Sequence, residues 1–192
     1  MLPQGMRRKH LRWPLINERL RTSDLVMSAL IAEVGEFSLC LERDRFWMLV
    51  RSIIAQQISV GAARSIRRRL EELIVPAKVT PEVLLQFGDE DLRSVGLSSQ
   101  KAFYIRDLAS KANDGSLELR TIGRFSDDAV IDQLAEVKGI GRWTAQMFLI
   151  FALGRPDVFP EADLGVRVAI RDRYGLDGLP DKATSLEIAR PW

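Results

Sequence analysis

VKGIGRWTAQMFLIFALGRPDVFPEADLGVR, residues 137–167, is the stretch whose reading decides the fold. After Ser126, DDAVIDQLAEV reads as a helix, and the run after Gly141 is a second, strongly apolar helix. Residues 127–153 therefore read as helix, tight Gly-Ile-Gly turn, helix. Gly139 and Gly141 allow positive φ and close approach of the backbone to a partner. Because the turn opens the next helix, its N–H groups and the positive dipole end point outward. Such an end takes a phosphate without reading base sequence. Lys138 and Arg142 flank the turn, and Ile140 is placed to pack inward and fix the angle between the helices. An ordinary αα-hairpin with a glycine turn fits the same residues.

Outward from this hairpin the helical signals continue. Upstream, Asp24 ends the cap signal Thr22-Ser23-Asp24 before LVMSALIAEVGEF, and RFWMLVRSIIAQQ (45–57) is too apolar for a surface helix. Ser59 caps VGAARSIRRRLEELI, which stops before Pro76. Thr80-Pro81-Glu82 starts a short helix. Further helices span Asp89 to Val95 and follow Ser98 in SQKAFYIRDLASKA. Downstream, Asp163 is placed to cap LGVRVAIRDRYG. No period-two alternation marks a sheet, and no linker or internal repeat is visible. The expected fold is all-α, about ten helices in two lobes made by a single chain excursion.

Composition excludes more than it selects. Nearly half of the 192 residues are hydrophobic, which rules out a disordered chain. No apolar run approaches the ~18–20 residues of a membrane span, and MLPQGMRRKHLRWP lacks the apolar core of a secretory signal. The single cysteine, Cys40, cannot build a disulfide framework, a thiolate-held iron–sulfur cluster or a Cys-rich zinc site within this chain. The net charge is only +2, and 22 Arg stand against 6 Lys, so Arg67-Arg68-Arg69 reads first as a solvated helix face. A cytosolic, intracellular enzyme fits.

With the aspartate of FPEADLG following the hairpin helix, residues 137–167 resemble the helix-hairpin-helix DNA glycosylase superfamily, closest to its 3-methyladenine DNA glycosylase II group. IIAQQISVGAARSI (53–66) and LRSVGLSSQKAFYIRDLA (92–109) fit the same family, so the likeness covers roughly residues 44–170. It implies a helix-hairpin-helix glycosylase fold, with a hairpin lobe over about 44–155, a second lobe from the N- and C-terminal segments, and the active site between them. It also implies the activity: excision of alkylated purines of the 3-methyladenine and 7-methylguanine class in base excision repair. The partner would be double-stranded DNA with damaged bases, bound by a monomer away from any membrane.

The resemblance distributes the chemistry as follows. The damaged nucleotide is flipped from the duplex and its N-glycosidic bond breaks through an oxocarbenium-like sugar cation. By family position Asp163 is the ionised carboxylate that stabilises that cation, at a helix N-terminus that favours negative charge. Glu161 and Asp157 are neighbouring carboxylates that do not match the position. Trp143 stands where strand-cleaving relatives hold a Schiff-base lysine, which implies a monofunctional enzyme that leaves an abasic site. Its indole can stack on a cationic methylated base, worth about 0.5–2 kcal/mol, or serve as a core tryptophan. Phe46 and Trp47 line the base pocket or belong to the core. Gln57 is the candidate to fill the gap left by the flipped nucleotide, with Gln56 beside it; two glutamines satisfying a helix end is the plainer alternative. Ser59, Lys138, Gly139, Ile140, Gly141, Arg142 and Thr144 complete the expected DNA-contacting set, and Ser98 caps a helix beside the DNA backbone. No cofactor is required, but the backbone carbonyls of Ala135, Val137 and Ile140 fall where the family hairpin often holds Na+ or K+. His10, the only histidine, lies in a basic N-terminal arm and is given no catalytic role.

Two departures from the family stand out. There is no N-terminal β-rich domain, as in a compact form, and the sequence stops at Ala189-Arg190-Pro191-Trp192, where the family continues into an aromatic-rich helix. A glycosylase for another lesion with weak lyase activity, or a non-catalytic DNA-binding module, remain the alternative readings.

Overall fold

The computed structural model describes residues 12–192, so His10 lies outside the described residues. Every regular element among them is helical: α1 (Arg12–Ser23), α2 (Leu25–Val34), α3 (Arg45–Ala55), α4 (Val60–Ile74), α5 (Pro81–Leu84), α6 (Asp89–Ser94), α7 (Ser99–Asn113), α8 (Asp127–Ala135), α9 (Arg142–Phe148), α10 (Leu164–Tyr174) and α11 (Lys182–Ala189). A 3-10 turn covers Ile122–Arg124, and α9 continues as a π-helical turn over Leu149–Leu153. Short polar side chains fix the starts. Asp24, Asp44, Ser59, Ser98, Ser126, Asp163 and Asp181 each accept the backbone N–H three residues ahead. Each such cap is worth about 1 kcal/mol.

Several helices stop earlier than the apolar pattern suggests. α2 ends at Val34 and does not reach Phe37, because Gly35 turns the chain at φ 95°. α3 ends at Ala55, short of the two glutamines, because Gln57 adopts φ 56°. The sequence reading missed α1 and α11. Their helical faces carry few apolar residues: the buried residue of α11 is Ser185, whose hydroxyl donates to Asp181 O, and in α1 Asn17 is buried.

Residues 41–155 form one compact unit, and the described residues flanking them in sequence form another. In the larger unit Leu49, Ile53 and Ile54 of α3, Leu70 of α4, Ile105 and Leu108 of α7, and Phe148 of α9 are fully buried. Burying each side chain contributes about 1.5–3 kcal/mol against the entropy of ordering it. The two chain ends of this unit are tied together: Glu42 N–H donates to Phe151 O at 2.9 Å, and a Cβ on Gly154 would meet Leu41 at 2.9 Å. In the other unit, Asn17 donates to Trp13 O and Phe37 O and accepts from Phe37 N–H, all within 2.9 Å. The Trp13 and Phe37 rings meet edge to face at 5.2 Å. This buried amide is fully partnered, as burial of a polar group demands.

The larger unit also contains a local echo that the sequence reading did not see. Val95-Gly96-Leu97-Ser98 joins α6 to α7 as Lys138-Gly139-Ile140-Gly141 joins α8 to α9. Both turns have a positive-φ glycine (Gly96 at 100°, Gly139 at 80°) and then a buried aliphatic residue, Leu97 or Ile140, each 4% exposed. Both then have an extended N-cap residue, and a fully buried alanine four residues on, Ala102 or Ala145. Between the segments only that glycine and alanine are identical.

Candidate functional site

The glycine hairpin is clamped from three sides. Beneath it lies the ring of Tyr104, so near that a Cβ on Gly139 would stand 2.1 Å from a ring carbon. Before the turn, the Lys138 N–H donates to Asp107 Oδ2 at 2.8 Å, and Asp107 also pairs with Lys111 at 3.1 Å. On the turn itself, the Gly139 carbonyl accepts from Gln56 Nε2 at 2.7 Å. The two glycines do different work. Gly139 needs positive φ and the missing Cβ, whereas Gly141 sits at φ −100° with open space around it, which corrects the expectation of two left-handed glycines. Lys138, Gly141, Arg142 and Trp143 are exposed, Trp143 at 45%. Ile140 packs inward.

Thr144 does not belong to this exposed set. It is 6% exposed on the inner side of α9, beside the fully buried Ala145, so its side chain is closed to DNA. Among the three expected cation-binding carbonyls, Val137 O already accepts the Ile140 N–H at 3.1 Å.

The two glutamines separate cleanly. Gln56 Nε2 is engaged by the hairpin carbonyl, so its side chain braces the loop against the turn. Gln57 is exposed and is the only non-glycine residue of positive φ among the described residues. Non-glycine residues held left-handed cost about 1–3 kcal/mol and cluster at functional sites. The end of α3 that carries them is capped by Lys101 of α7, whose Nζ donates to Ile54 O at 2.8 Å and Gln56 O at 2.6 Å. Burial pulls the Lys101 amine below the ordinary lysine range. Ser59 is exposed and caps α4 through its hydroxyl.

Of the two aromatic residues expected to line a pocket, Phe46 is 7% exposed and belongs to the core, because it lies on the inward face of α3 with Leu49, Val50 and Ile53. Trp47 is half-buried, with the Arg51 guanidinium 6.0 Å from its ring centre; Arg51 pairs in turn with Glu42. Of the arginine run, Arg69 donates to Val95 O at 2.7 Å and braces the Gly96 turn, so it is more than a solvated charge.

In the other unit, Asp163 is held at both ends of the residue. Its N–H donates to Pro160 O at 2.9 Å, and its Oδ1 accepts the Val166 N–H at 2.9 Å. Gly165 makes room for that carboxylate: a Cβ there would stand 3.2 Å from Oδ1. Glu161 N–H bonds to Phe159 O, and Asp157 is exposed.

Sequence reasoning missed Lys101, Tyr104 and Asp107, which together seat the loop and the turn on α7. One signal was available. A lysine in the first turn of a helix sits at the unfavourable end of that helix's dipole, so its charge serves something else.

Residues 50–192 match the family described as HhH-GPD superfamily base excision DNA repair protein. A Bacillus subtilis protein provisionally named DNA-3-methyladenine glycosylase is 30% identical over 86% of this chain, which spans 60% of that protein's length. A DNA-3-methyladenine glycosidase of Bacillus halodurans superposes with a TM-score of 0.81 at 34% identity, over 92% of this chain and 82% of its own. The Schizosaccharomyces pombe 3-methyladenine DNA glycosylase, solved in complex with abasic DNA, also gives 0.81, at 28% identity over 92% of this chain and 88% of its own.

Proposed function

The chain belongs to the HhH-GPD superfamily of base excision DNA repair proteins, and on that premise we propose that it is a monofunctional DNA glycosylase for alkylated purines. The observation that carries the reading is the clamped hairpin. Tyr104, Asp107 and Gln56 hold its backbone, and Gly141, Arg142 and the indole of Trp143 are exposed just beyond it. A pre-set turn of this kind binds a DNA phosphate, and an aromatic face beside it suits a flipped cationic base. The names of the relatives point to the same lesion class.

In this mechanism the duplex is gripped at the hairpin, the damaged nucleotide leaves the stack, and Gln57 fills the gap. Asp163 stabilises the sugar cation as the C1′–N bond breaks and orients the water that attacks it. An alkylated purine already carries positive charge and leaves as a neutral base, so no second carboxylate is needed as general acid. With tryptophan at position 143 no amine is positioned to form a Schiff base, and the product strand stays whole. The neutral carbonyl oxygens of Ala135, Val137 and Ile140 suit a hard monovalent cation, Na+ or K+, and Val137 keeps a second lone pair for it. Such an ion would add positive charge beneath the phosphate. The protein would act as a monomer on double-stranded DNA; no helix among the described residues is long and apolar enough to cross a membrane.

The test is release of 3-methyladenine and 7-methylguanine from a methylated duplex, with strand integrity followed before and after alkali. Base release without strand cleavage supports the reading. Duplex binding with no base release points to a non-catalytic module instead.

A further inference from the structure

Lys101 spends its charge at the end of a helix other than its own. It lies in the first turn of α7, where a cation opposes the helix dipole, and reaches to the C-terminal end of α3, where a cation is favoured. There its Nζ donates to two carbonyls, Ile54 O at 2.8 Å and Gln56 O at 2.6 Å. The next residue, Gln57, is the one held left-handed and exposed. The side chain of Gln56 is in turn fixed to Gly139 O at 2.7 Å, so loop and hairpin turn are joined through one residue whose own carbonyl Lys101 holds. Burial draws the Lys101 amine below the ordinary lysine range.

We propose that Lys101 is a positioning residue for the DNA gap-filling role of Gln57: it locks the end of α3 so that Gln57 is presented in its left-handed conformation while Gln56 keeps the loop in register with the hairpin. The inference rests on the glycosylase reading above. Without the ammonium, the two carbonyls lose their donor, and the Gln56 bond to Gly139 O is left to hold Gln57 against its unfavourable backbone. The loop then relaxes, and the insertion of Gln57 must be ordered anew at each binding event.

The full chain is tested for affinity to a duplex bearing a tetrahydrofuran abasic site and to the same duplex undamaged. Wild type should prefer the abasic duplex. Lys101→Met should lower that preference by about tenfold, as should Gln57→Ala, while affinity of Lys101→Met for undamaged duplex stays within about twofold. The double variant should lose little more than either single one. Because Lys101→Met removes a buried contact, a second variant guards against simple unfolding. Lys101→Cys in a Cys40→Ser background, aminoethylated with bromoethylamine, restores an amine at this position and should recover the preference. If Lys101→Met keeps the preference that Gln57→Ala loses, or aminoethylation restores nothing, the positioning role is overturned and the glycosylase reading stands. If the wild type shows no abasic preference and releases no base, the glycosylase reading falls, and the inference with it.

Discussion

Tyr104 and Gly139 occupy each other's space so closely that no side chain fits between them: a Cβ on Gly139 would lie 2.1 Å from the Tyr104 ring. The contact sets the height of the hairpin turn above α7, with Asp107 and Gln56 fixing its rotation.

The two hairpin glycines should therefore respond differently. Gly139→Ala meets both the ring and a φ of 80° and should destabilise the fold by about 2–3 kcal/mol, lowering Tm by roughly 5–10 °C. Tyr104→Ala in the same chain should relieve part of the loss. Gly141→Ala, with open space around it, should leave Tm unchanged and weaken binding to all duplexes alike. Equal Tm losses at the two positions would contradict the geometry.

Asp163 carries two roles that substitutions can separate. Asn keeps a side-chain oxygen for the Val166 N–H, so Asp163→Asn should melt with wild type; Asp163→Ala loses the cap and about 1 kcal/mol. Both should lose base release and retain duplex binding. Base release by Asp163→Asn above a few per cent of the wild-type rate would remove Asp163 from the chemistry.

Trp143 bears on both lesion choice and outcome. Trp143→Ala should reduce excision of cationic alkylpurines by about 2- to 30-fold, following the ~0.5–2 kcal/mol of a cation stacked on an indole, and affect neutral bases less. Borohydride should trap no covalent complex with the wild-type chain. Robust trapping would point to Lys138, the exposed lysine of the turn, as a nucleophile.

Tyr174 predicts an alkaline transition. Its phenol is pushed up to about 12, by burial first and then by the nearby Asp24 carboxylate. The neutral phenol is thus favoured in the folded state. The corresponding stability is complete below about pH 10, where unfolded tyrosine begins to ionise, and is lost as pH rises through the folded value near 12. Tyr174→Phe should flatten the fall of Tm across that window. An unchanged alkaline fall in Tyr174→Phe would assign it to other groups.

What was legible in the sequence was local. The caps at Ser59, Ser98 and Asp163, and a cap within Thr22-Ser23-Asp24, could be read because a short polar residue before an apolar run acts within three residues of itself. The hairpin could be read for the same reason. The distinct fates of Gly139 and Gly141 could not, since they depend on Tyr104, 35 positions away in the chain. Likewise, the roles of Gln56 and Lys101 are set by partners 83 and 45 residues distant. Phe46 and Trp47 are adjacent apolar residues with no local signal to say which faces inward. The second hairpin turn escaped notice because its likeness to the first lies in backbone angles and burial, which two shared residues do not disclose.

The hydrogen bond from Glu42 to Phe151 closes a long segment of chain at its neck. Everything between those residues is continuous and can complete its own contacts as soon as the ribosome has released it. The other unit is assembled from chain on both sides of that segment, so its N-terminal helices must wait for their C-terminal partners until more than a hundred further residues have been made. The order of synthesis thus places the burden of early protection on α1 and α2, the helices whose partners arrive last.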